Sequence, residues 1–301
     1  MVAREDAAGP LEVQLMSVEC PICGARARDA GNKEGHALHR CTGCRHLFFW
    51  PQPERTDHIY NKDYFTGAGG GFGYKDYDRD KAPMVGTFHE YLDRIGAANP
   101  PEGRMLDIGA ATGFFLNLAR ERGWKVAGVE VSAAASEMAR AKGLDVRTGI
   151  LEEDHGWTDG EFSAITMWDV IEHMPDPHRT MAEVSRLLRP GGLVAINTPD
   201  SGSLLSRALG PRWHLVIPYE HLNLFTRQSL ENLLSRHGLE VLDVRCIGKK
   251  FTVQYVLNTL AAWQRLGVWK RLAAASERLR VHELGLRINL HDNVFVLARK
   301  R

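Results

Sequence analysis

A chain of 301 residues with 44% apolar and 25% charged residues has the composition of a soluble globular protein, long enough for one main domain and a small appendage. The 38 basic and 37 acidic residues nearly cancel to a net charge of +1, which argues against a general nucleic-acid binder. No apolar run reaches the roughly 18 residues of a membrane span. The N-terminal MVAREDAAGP lacks the apolar segment of a signal peptide, so the expected location is the cytoplasm.

The first 50 residues hold four of the five cysteines in two knuckles, Cys20-Pro-Ile-Cys23 and Cys41-Thr-Gly-Cys44. Cytosolic thiols stay reduced, so such pairs point to metal rather than disulfide. Zinc prefers tetrahedral thiolate coordination, and two knuckles offer four sulfurs at one centre. A structural zinc ribbon over 1–50 is expected, with Cys20, Cys23, Cys41 and Cys44 as ligands. Few large apolar side chains lie here, so the metal would supply most of the folding free energy. His36, His39 and His46 could each replace one ligand, but four thiolates need no help and leave no open position for catalysis. The stretch carries six Arg/Lys and six Asp/Glu, with no excess for phosphate.

Residues 51–100 are rich in aromatics and glycine, with Tyr60, Tyr64, Phe65, Tyr74 and Tyr77 around the run Gly67 to Gly73. They form either a helical lid that excludes water or a linker with tyrosines packed on the surface.

From Arg104 strand-like and helical patterns alternate. Arg104 to Gly109 is a short buried strand, and Thr112 is a candidate cap for a helix closed by Gly123. Lys125 to Val131 is a second strand, followed by a helix capped by Ser132 and ending at Gly143. Asp145 to Thr148 and Phe162 to Trp168 are the third and fourth. A helix with Met181, Val184, Leu187 and Leu188 on one face comes next, then the turn Arg189 to Gly192 and a strand from Leu193 to Asn197. This alternation implies an α/β, Rossmann-like doubly wound sheet, with 101–301 as its domain.

Ligands of such sheets sit at the carboxyl ends of the strands. The loop Asp107-Ile-Gly109-Ala-Ala111-Thr-Gly113 lies at such an end, where small residues let a ligand approach the backbone. Glu130 ends the second strand, beside Val131, and can accept hydrogen bonds from both hydroxyls of a ribose. The spacing G-x-x-x-G departs from the dinucleotide G-x-G-x-x-G, which suits S-adenosylmethionine, a ligand without phosphate.

LDIGAATGFF (106–115), GVEVS (128–132), FSAITMWDVIEHMPDP (162–177) and LLRPGGLVAINTPD (187–200) resemble the successive motifs of class I S-adenosylmethionine-dependent methyltransferases. The resemblance covers about 150 residues in order. The middle position of the glycine loop is commonly glycine in that family and is Ala111 here. It implies that Asp107, Gly109, Ala111 and Gly113 line the cofactor, with Asp107 and Gly109 at its methionine part. It further implies that Ile150 and Leu151 flank the adenine, and that Trp168 and Asp169 face cofactor and acceptor. A seven-stranded sheet is implied as well, with Leu239 to Cys246 and an antiparallel Asn293 to Ala298 as its last strands. Cys246 is expected to be a buried core residue of its strand.

The ribbon followed by HLFFWPQPERTDHIYNKDYF resembles bacterial methyltransferases of sugars and other small metabolites. The sugar C-methyltransferases among them usually carry a further C-terminal domain, which is expected to be missing here. The expected function is therefore methyl transfer to a small-molecule or sugar acceptor, at oxygen. Alternatives are a zinc-ribbon ribosomal RNA methyltransferase, a sugar C-methyltransferase, and an inactive binding module on the same fold. A hydroxyl acceptor needs a base, and the candidates are His173, just past the fourth strand, and His221, in Tyr219-Glu-His-Leu-Asn223.

Residues 249–290 read as a helical insertion of long helices before the last strand. Lys249, Lys250, Arg265, Lys270, Arg271, Arg278 and Arg280 face one acid, Glu277, over 249–280. Val256, Leu257, Leu260, Trp263, Leu266 and Trp269 recur at helical spacing. A basic amphipathic helix can rest on an anionic membrane, pack over an acceptor pocket or form a homodimer contact.

Overall fold

The structure is a computed structural model that describes residues 18–53, 77–100, 102–264 and 266–301. Tyr60, Tyr64 and Tyr74 of the expected lid lie outside them. The chain opens with β1 (Ala27–Lys33), β2 (His36–Cys41) and β3 (Leu47–Phe49). Helices α1 (Tyr77–Lys81) and α2 (Val85–Ala98) follow. Helix α2 buries Phe88, Tyr91, Leu92 and Ile95, spaced three and four apart, in one cluster with Met105, Phe115, Leu193 and Phe295.

Strands and helices then alternate: β4 (Arg104–Ile108), α3 (Phe114–Glu121), β5 (Lys125–Glu130), α4 (Ala133–Ala141) and β6 (Val146–Thr148). They continue with β7 (Phe162–Trp168), α5 (Pro177–Leu187), β8 (Leu188–Pro199), α6 (Leu204–Leu209), β9 (Asn223–Leu224), α7 (Arg227–Arg236) and β10 (Leu239–Arg245). A hairpin of β11 (Lys249–Thr252) and β12 (Gly285–Ile288) encloses α8 (Val253–Gln264) and α9 (Gly267–Arg278), and β13 (Asn293–Lys300) comes last. The insertion is thus a helix pair on a two-stranded stalk, not helices alone.

The seven-stranded sheet has the order β10-β13-β8-β7-β4-β5-β6. Strands β4 to β8 are mutually parallel, and β13 runs antiparallel to both β8 and β10. The chain builds outward from β4 to β6 and then crosses back to β7, so the switch point lies between β4 and β7. Ligands of open α/β sheets bind at the strand ends there. Both faces of these strands are covered, which is why β7 reads as an apolar run with every residue from Phe162 to Met167 buried.

Caps fix where the helices begin. Ser132 Oγ accepts from Ala135 N–H, and Thr226 forms a reciprocal capping box with Ser229. Thr112 does not cap α3. The left-handed Gly113 occupies that place, and the Thr112 hydroxyl donates to Asp78 instead. Cys246 is half-buried beyond the end of β10, where it meets the Arg227 guanidinium at 2.9 Å, so it is not a core residue. Strand β8 begins at Leu188, and the segment expected as a turn is absorbed by a register shift against β7 between Phe162 and Ala164.

The cysteine-bearing segment is joined to the sheet domain. Strand β3 pairs with β9 through Leu47 and Leu224 and through Phe48 and Asn223. Leu38, Leu47 and Phe49 share an apolar cluster with Trp213, Val216 and Leu224. Ile22 and Phe48 pack with Phe225, Leu230 and Leu233. His46 is fully buried, and its Nε2 donates to Asn223 Oδ1 at 3.0 Å. That bond explains its presence without recourse to a metal.

Candidate active site

The loop after β4 carries three left-handed residues, Gly109 at φ +72°, Ala111 at +47° and Gly113 at +77°. A Cβ on Gly109 would lie 2.6 Å from Val170 Cγ2, and one on Gly113 would lie 2.3 Å from Leu144 Cδ1, so neither place admits a side chain. Ala111 bears the left-handed geometry at a cost of about 1 kcal/mol. Its N–H donates to Glu130 Oε2 at 2.8 Å, and its methyl packs with Ala135 and Tyr77.

Glu130 is buried, and its second oxygen accepts from Ser132 N–H at 2.8 Å. Burial raises its pKa, while backbone donors at Ser132, Ala111 and Val131 oppose the rise. Asp107 accepts the Thr166 hydroxyl at 2.6 Å. Burial pushes its pKa up to about 8, opposed by Thr166 and helped by the charge of Glu130. Asp169, at φ +57°, accepts from Asn197 Nδ2 at 2.8 Å and from Lys249 Nζ at 2.7 and 2.8 Å. Burial would raise this carboxyl, but Lys249 and then Lys81 hold it below the ordinary value. Trp168 stacks on Tyr91 with centroids 4.5 Å apart, and the Tyr91 hydroxyl donates to Asn197 Oδ1 at 3.1 Å. Three carboxyl groups therefore ring the ends of β4, β5 and β7. Only part of their charge is free, since the pKa of Asp107 is raised to about 8 and Asp169 is paired with Lys249.

A single cavity of about 1670 Å³ starts at this ring, where Gly109, Ala111, Glu130 and Val131 line it together with Ile150 and Leu151. Leu151 is largely buried in the core, and Ile150 is the more open of the two. Trp168, Asp169 and Lys249 line the middle. The cavity is also lined by Glu172, His173, Glu220 and His221, and by Val256, Leu260 and Trp263 of α8. Leu266, Val268 and Leu272 around the α8–α9 junction are exposed.

His173 and His221, expected from sequence as separate candidates, meet with ring centroids 4.8 Å apart. His173 Nδ1 donates to Glu220 O and His221 Nδ1 to Leu215 O, both at 2.7 Å. Burial lowers the pKa of both, to about 3 for His221, so the rings stay neutral at pH 7. Glu172 is fully buried, and burial, then the charge of Asp169, pushes it up to about 8. Lys249 and Glu172 were not legible as site residues. Lys249 was one member of a basic run, and only the β11 hairpin brings it to Asp169. Glu172 was simply the neighbour of His173.

The four knuckle cysteines bring their sulfurs within 4.8 Å of one another. Cys20 and Cys44 lie 3.7 Å apart, and Cys23 and Cys41 lie 3.4 Å apart. These separations are far too long for a disulfide and close to the roughly 3.8 Å edge of a tetrahedral Zn–S₄ centre. The hydrogen bond with Cys44 lowers Cys20 to about 5 and raises its partner. Amides of Ile22, Gly43 and Cys44 point at the sulfurs at 3.3–3.4 Å, which suits thiolates. The donor set fits a closed structural zinc.

One pH dependence follows from Asp107. Its unfolded carboxyl titrates near about 3.9, well below the folded value. The folded chain binds that proton more tightly, so the stabilisation is complete below about pH 4 and is lost as pH rises through about 8. The melting temperature of the cofactor-free protein should therefore fall between about pH 5 and pH 9 relative to that of Asp107→Asn. Parallel pH profiles of the two proteins contradict this.

A family model described as a methyltransferase domain matches residues 79–244, more than half of the chain. Over 235 residues the chain is 26% identical to the biotin biosynthesis bifunctional protein BioHC of Cellvibrio japonicus, covering 74% of this chain and 46% of that protein. It is 32% identical over 101 residues to the ubiquinone biosynthesis O-methyltransferase of Alkalilimnicola ehrlichii, covering 32% of this chain and 41% of the relative. The chain thus spans about half the length of the curated relatives it matches. The solved SAM-dependent methyltransferase of Thermotoga maritima superposes with a TM-score of 0.52 at 22% identity, covering 82% of this chain and 100% of that one. The YcgJ protein of Bacillus subtilis gives 0.51 at 17% identity, covering 71% and 99%. These two likenesses show the fold. With the family match and the acidic cleft at the β4–β7 switch point, the chain belongs to the methyltransferase-domain family and has the class I fold of S-adenosylmethionine-dependent enzymes.

Proposed function

We propose that the chain methylates an oxygen of a small-molecule acceptor in the cytoplasm, using S-adenosylmethionine. When bound, the cofactor supplies a methyl carbon that the acceptor oxygen attacks as the carbon–sulfur bond breaks, leaving S-adenosylhomocysteine as a neutral thioether. The observation that carries this reading is the single cavity running from Glu130 to the His173–His221 pair. Glu130, beside Val131, holds the ribose, and Ile150 and Leu151 flank the adenine. Asp107 and Gly109 border the methionine part. Ala111 and Gly113 shape the loop, and Trp168 and Asp169 separate cofactor from acceptor.

His173 and His221 draw the proton from the acceptor hydroxyl. Their rings are fixed by backbone carbonyls, so they face the acceptor in one orientation. Oxygen is favoured over nitrogen or carbon because several relatives are O-methyltransferases by name, of ubiquinone biosynthesis and of malonyl-[acyl-carrier protein].

A screen of nucleotide sugars and phenols with methyl-labelled cofactor tests the reading. With the acceptor found, His221→Ala is expected to lower kcat by about 100-fold or more, the usual contribution of proton handling. The affinity for S-adenosylhomocysteine should stay unchanged. Full turnover in both His221→Ala and His173→Ala overturns the assignment.

A further inference from the structure

Helix α9 packs on α8 along one side only. Ala273 and Ser276 are buried there, and Ser276 Oγ donates to Gln254 Oε1 of α8 at 3.2 Å. Next to that side, Val268, Leu272, Ala275 and Leu279 recur at spacings of four, three and four, which sets them on one face. Leu279, the cap residue, keeps a right-handed helical conformation, so the stripe runs the length of the helix. All four are exposed, and none of them lines the cavity. An exposed apolar stripe outside the site marks a surface that meets something other than water.

Charge and area indicate what it meets. Arg271 and Arg278, seven residues apart, edge the stripe on the side away from α8, and both are exposed. Neither side chain makes an ion pair among the described residues. The one acid of the helix, Glu277, lies off the stripe and lines the cavity. The rest of the insertion adds exposed Lys250, Lys270 and Arg280 against one further acid, Glu283, in a chain whose net charge is only +1. A second copy or a folded protein would need about 800 Å² on each side, whereas a stripe about 18 Å long and about 10 Å wide offers roughly 200 Å². A bilayer has no such threshold. Apolar side chains enter the acyl boundary, and arginine lays its stem along them while the guanidinium reaches the phosphates. Among the described residues no helix is long and apolar enough to cross a membrane, so the contact is peripheral.

We propose that the Val268–Leu279 face of α9, edged by Arg271 and Arg278, is a docking surface for an anionic lipid bilayer. The attachment is salt-sensitive, because ionic screening weakens the arginine–phosphate attraction. It does not depend on the methyl-transfer reading.

The test uses the full chain with zinc in its knuckles. Sedimentation with vesicles of phosphatidylcholine alone is compared with sedimentation with vesicles that contain about a third phosphatidylglycerol. Binding to the anionic vesicles should be at least about 10-fold tighter and should fall at high salt, since each arginine at such a surface contributes about fivefold. Replacing both arginines, Arg271→Ala with Arg278→Ala, should weaken it by about 10-fold or more. Leu272→Asp, which carries a charge into the acyl boundary, should weaken it at least as much. Thermal melts that keep one cooperative transition show that these variants are folded. In the unmodified protein, anionic vesicles should slow amide exchange over 267–280 more than elsewhere, a readout that needs no variant. No sedimentation with anionic vesicles at millimolar lipid, equal binding by the folded variants, or slowed exchange centred elsewhere overturns the proposal. Binding that responds to the arginines but not to Leu272→Asp assigns the face to charge alone, as for an acidic protein, and overturns the lipid assignment. Dimerisation abolished by Leu272→Asp, in place of vesicle binding, gives the face to a second copy and overturns it too.

Discussion

Replacing Glu130 by alanine is expected to lower the affinity for S-adenosylhomocysteine by at least about 100-fold, and to lower the melting temperature of the free protein as well. A carboxylate offers about four lone-pair positions. The amides of Ala111 and Ser132 use two at 2.8 Å, and Val131 N–H is also directed at the group. The remaining acceptor capacity is what the vicinal hydroxyls of a ribose would take up. A hydrogen bond to a charged group contributes about 1.5–3 kcal/mol, so losing two removes about 3 kcal/mol or more of binding. The loss of stability has a separate origin. Without the carboxylate, the buried amides of Ala111 and Ser132 have no acceptor, at about 1–3 kcal/mol each. Ala111 also loses the bond that holds it in the left-handed region. Glu130→Gln keeps one accepting oxygen but turns an amide NH₂ toward a backbone donor, so its affinity should fall between the two. Calorimetry and thermal melts check both effects. Undiminished affinity in a folded Glu130→Ala protein contradicts the ribose assignment.

The second large effect concerns the knuckle cysteines. Stripping zinc with a chelator, or substituting Cys41→Ser, should abolish acceptor turnover while leaving S-adenosylhomocysteine affinity within about twofold, because the cofactor loop is a distant site. Zinc binding contributes on the order of 10 kcal/mol to folding a unit of this kind, so the segment unravels without it. The damage then passes through named contacts. Strand β3 is paired with β9, Thr226 donates to Cys44 O at 3.0 Å, and His46 is buried against Asn223. Asn223 in turn donates to Met174 O at 2.7 Å, and it lies two residues from His221. The metal therefore supports the acceptor end without touching it. Turnover that survives metal removal would separate the knuckles from the acceptor site.

How much of this was legible in the sequence differs between local and distant effects. The parallel strands announced themselves as short apolar runs because both of their faces are covered, and Phe162–Trp168 was bounded correctly at both ends. Ser132 was readable as a cap because capping is a contact across three residues. Thr112 misled because the left-handed turn at Ala111 and Gly113 delays the helix to Phe114. Cys246 misled because the strand ends one residue earlier, at Arg245, so this residue falls in the half-open segment beyond it. The two-residue β9 and the Lys249–Asp169 pair left no local signature, since each is made by segments far apart in the chain. The histidines were found one by one, but their meeting, and the carboxylate of Glu172 beside them, required the fold.

The most direct measurement of the central claim is calorimetric titration of the wild-type protein with S-adenosylhomocysteine and, separately, with a nicotinamide dinucleotide. Glu130 at the end of β5 and a G-x-x-x-G loop that lacks the G-x-G-x-x-G approach to a pyrophosphate should admit the first at micromolar affinity or better and exclude the second. Tight binding of the dinucleotide with no heat from S-adenosylhomocysteine would contradict the assignment of this cleft.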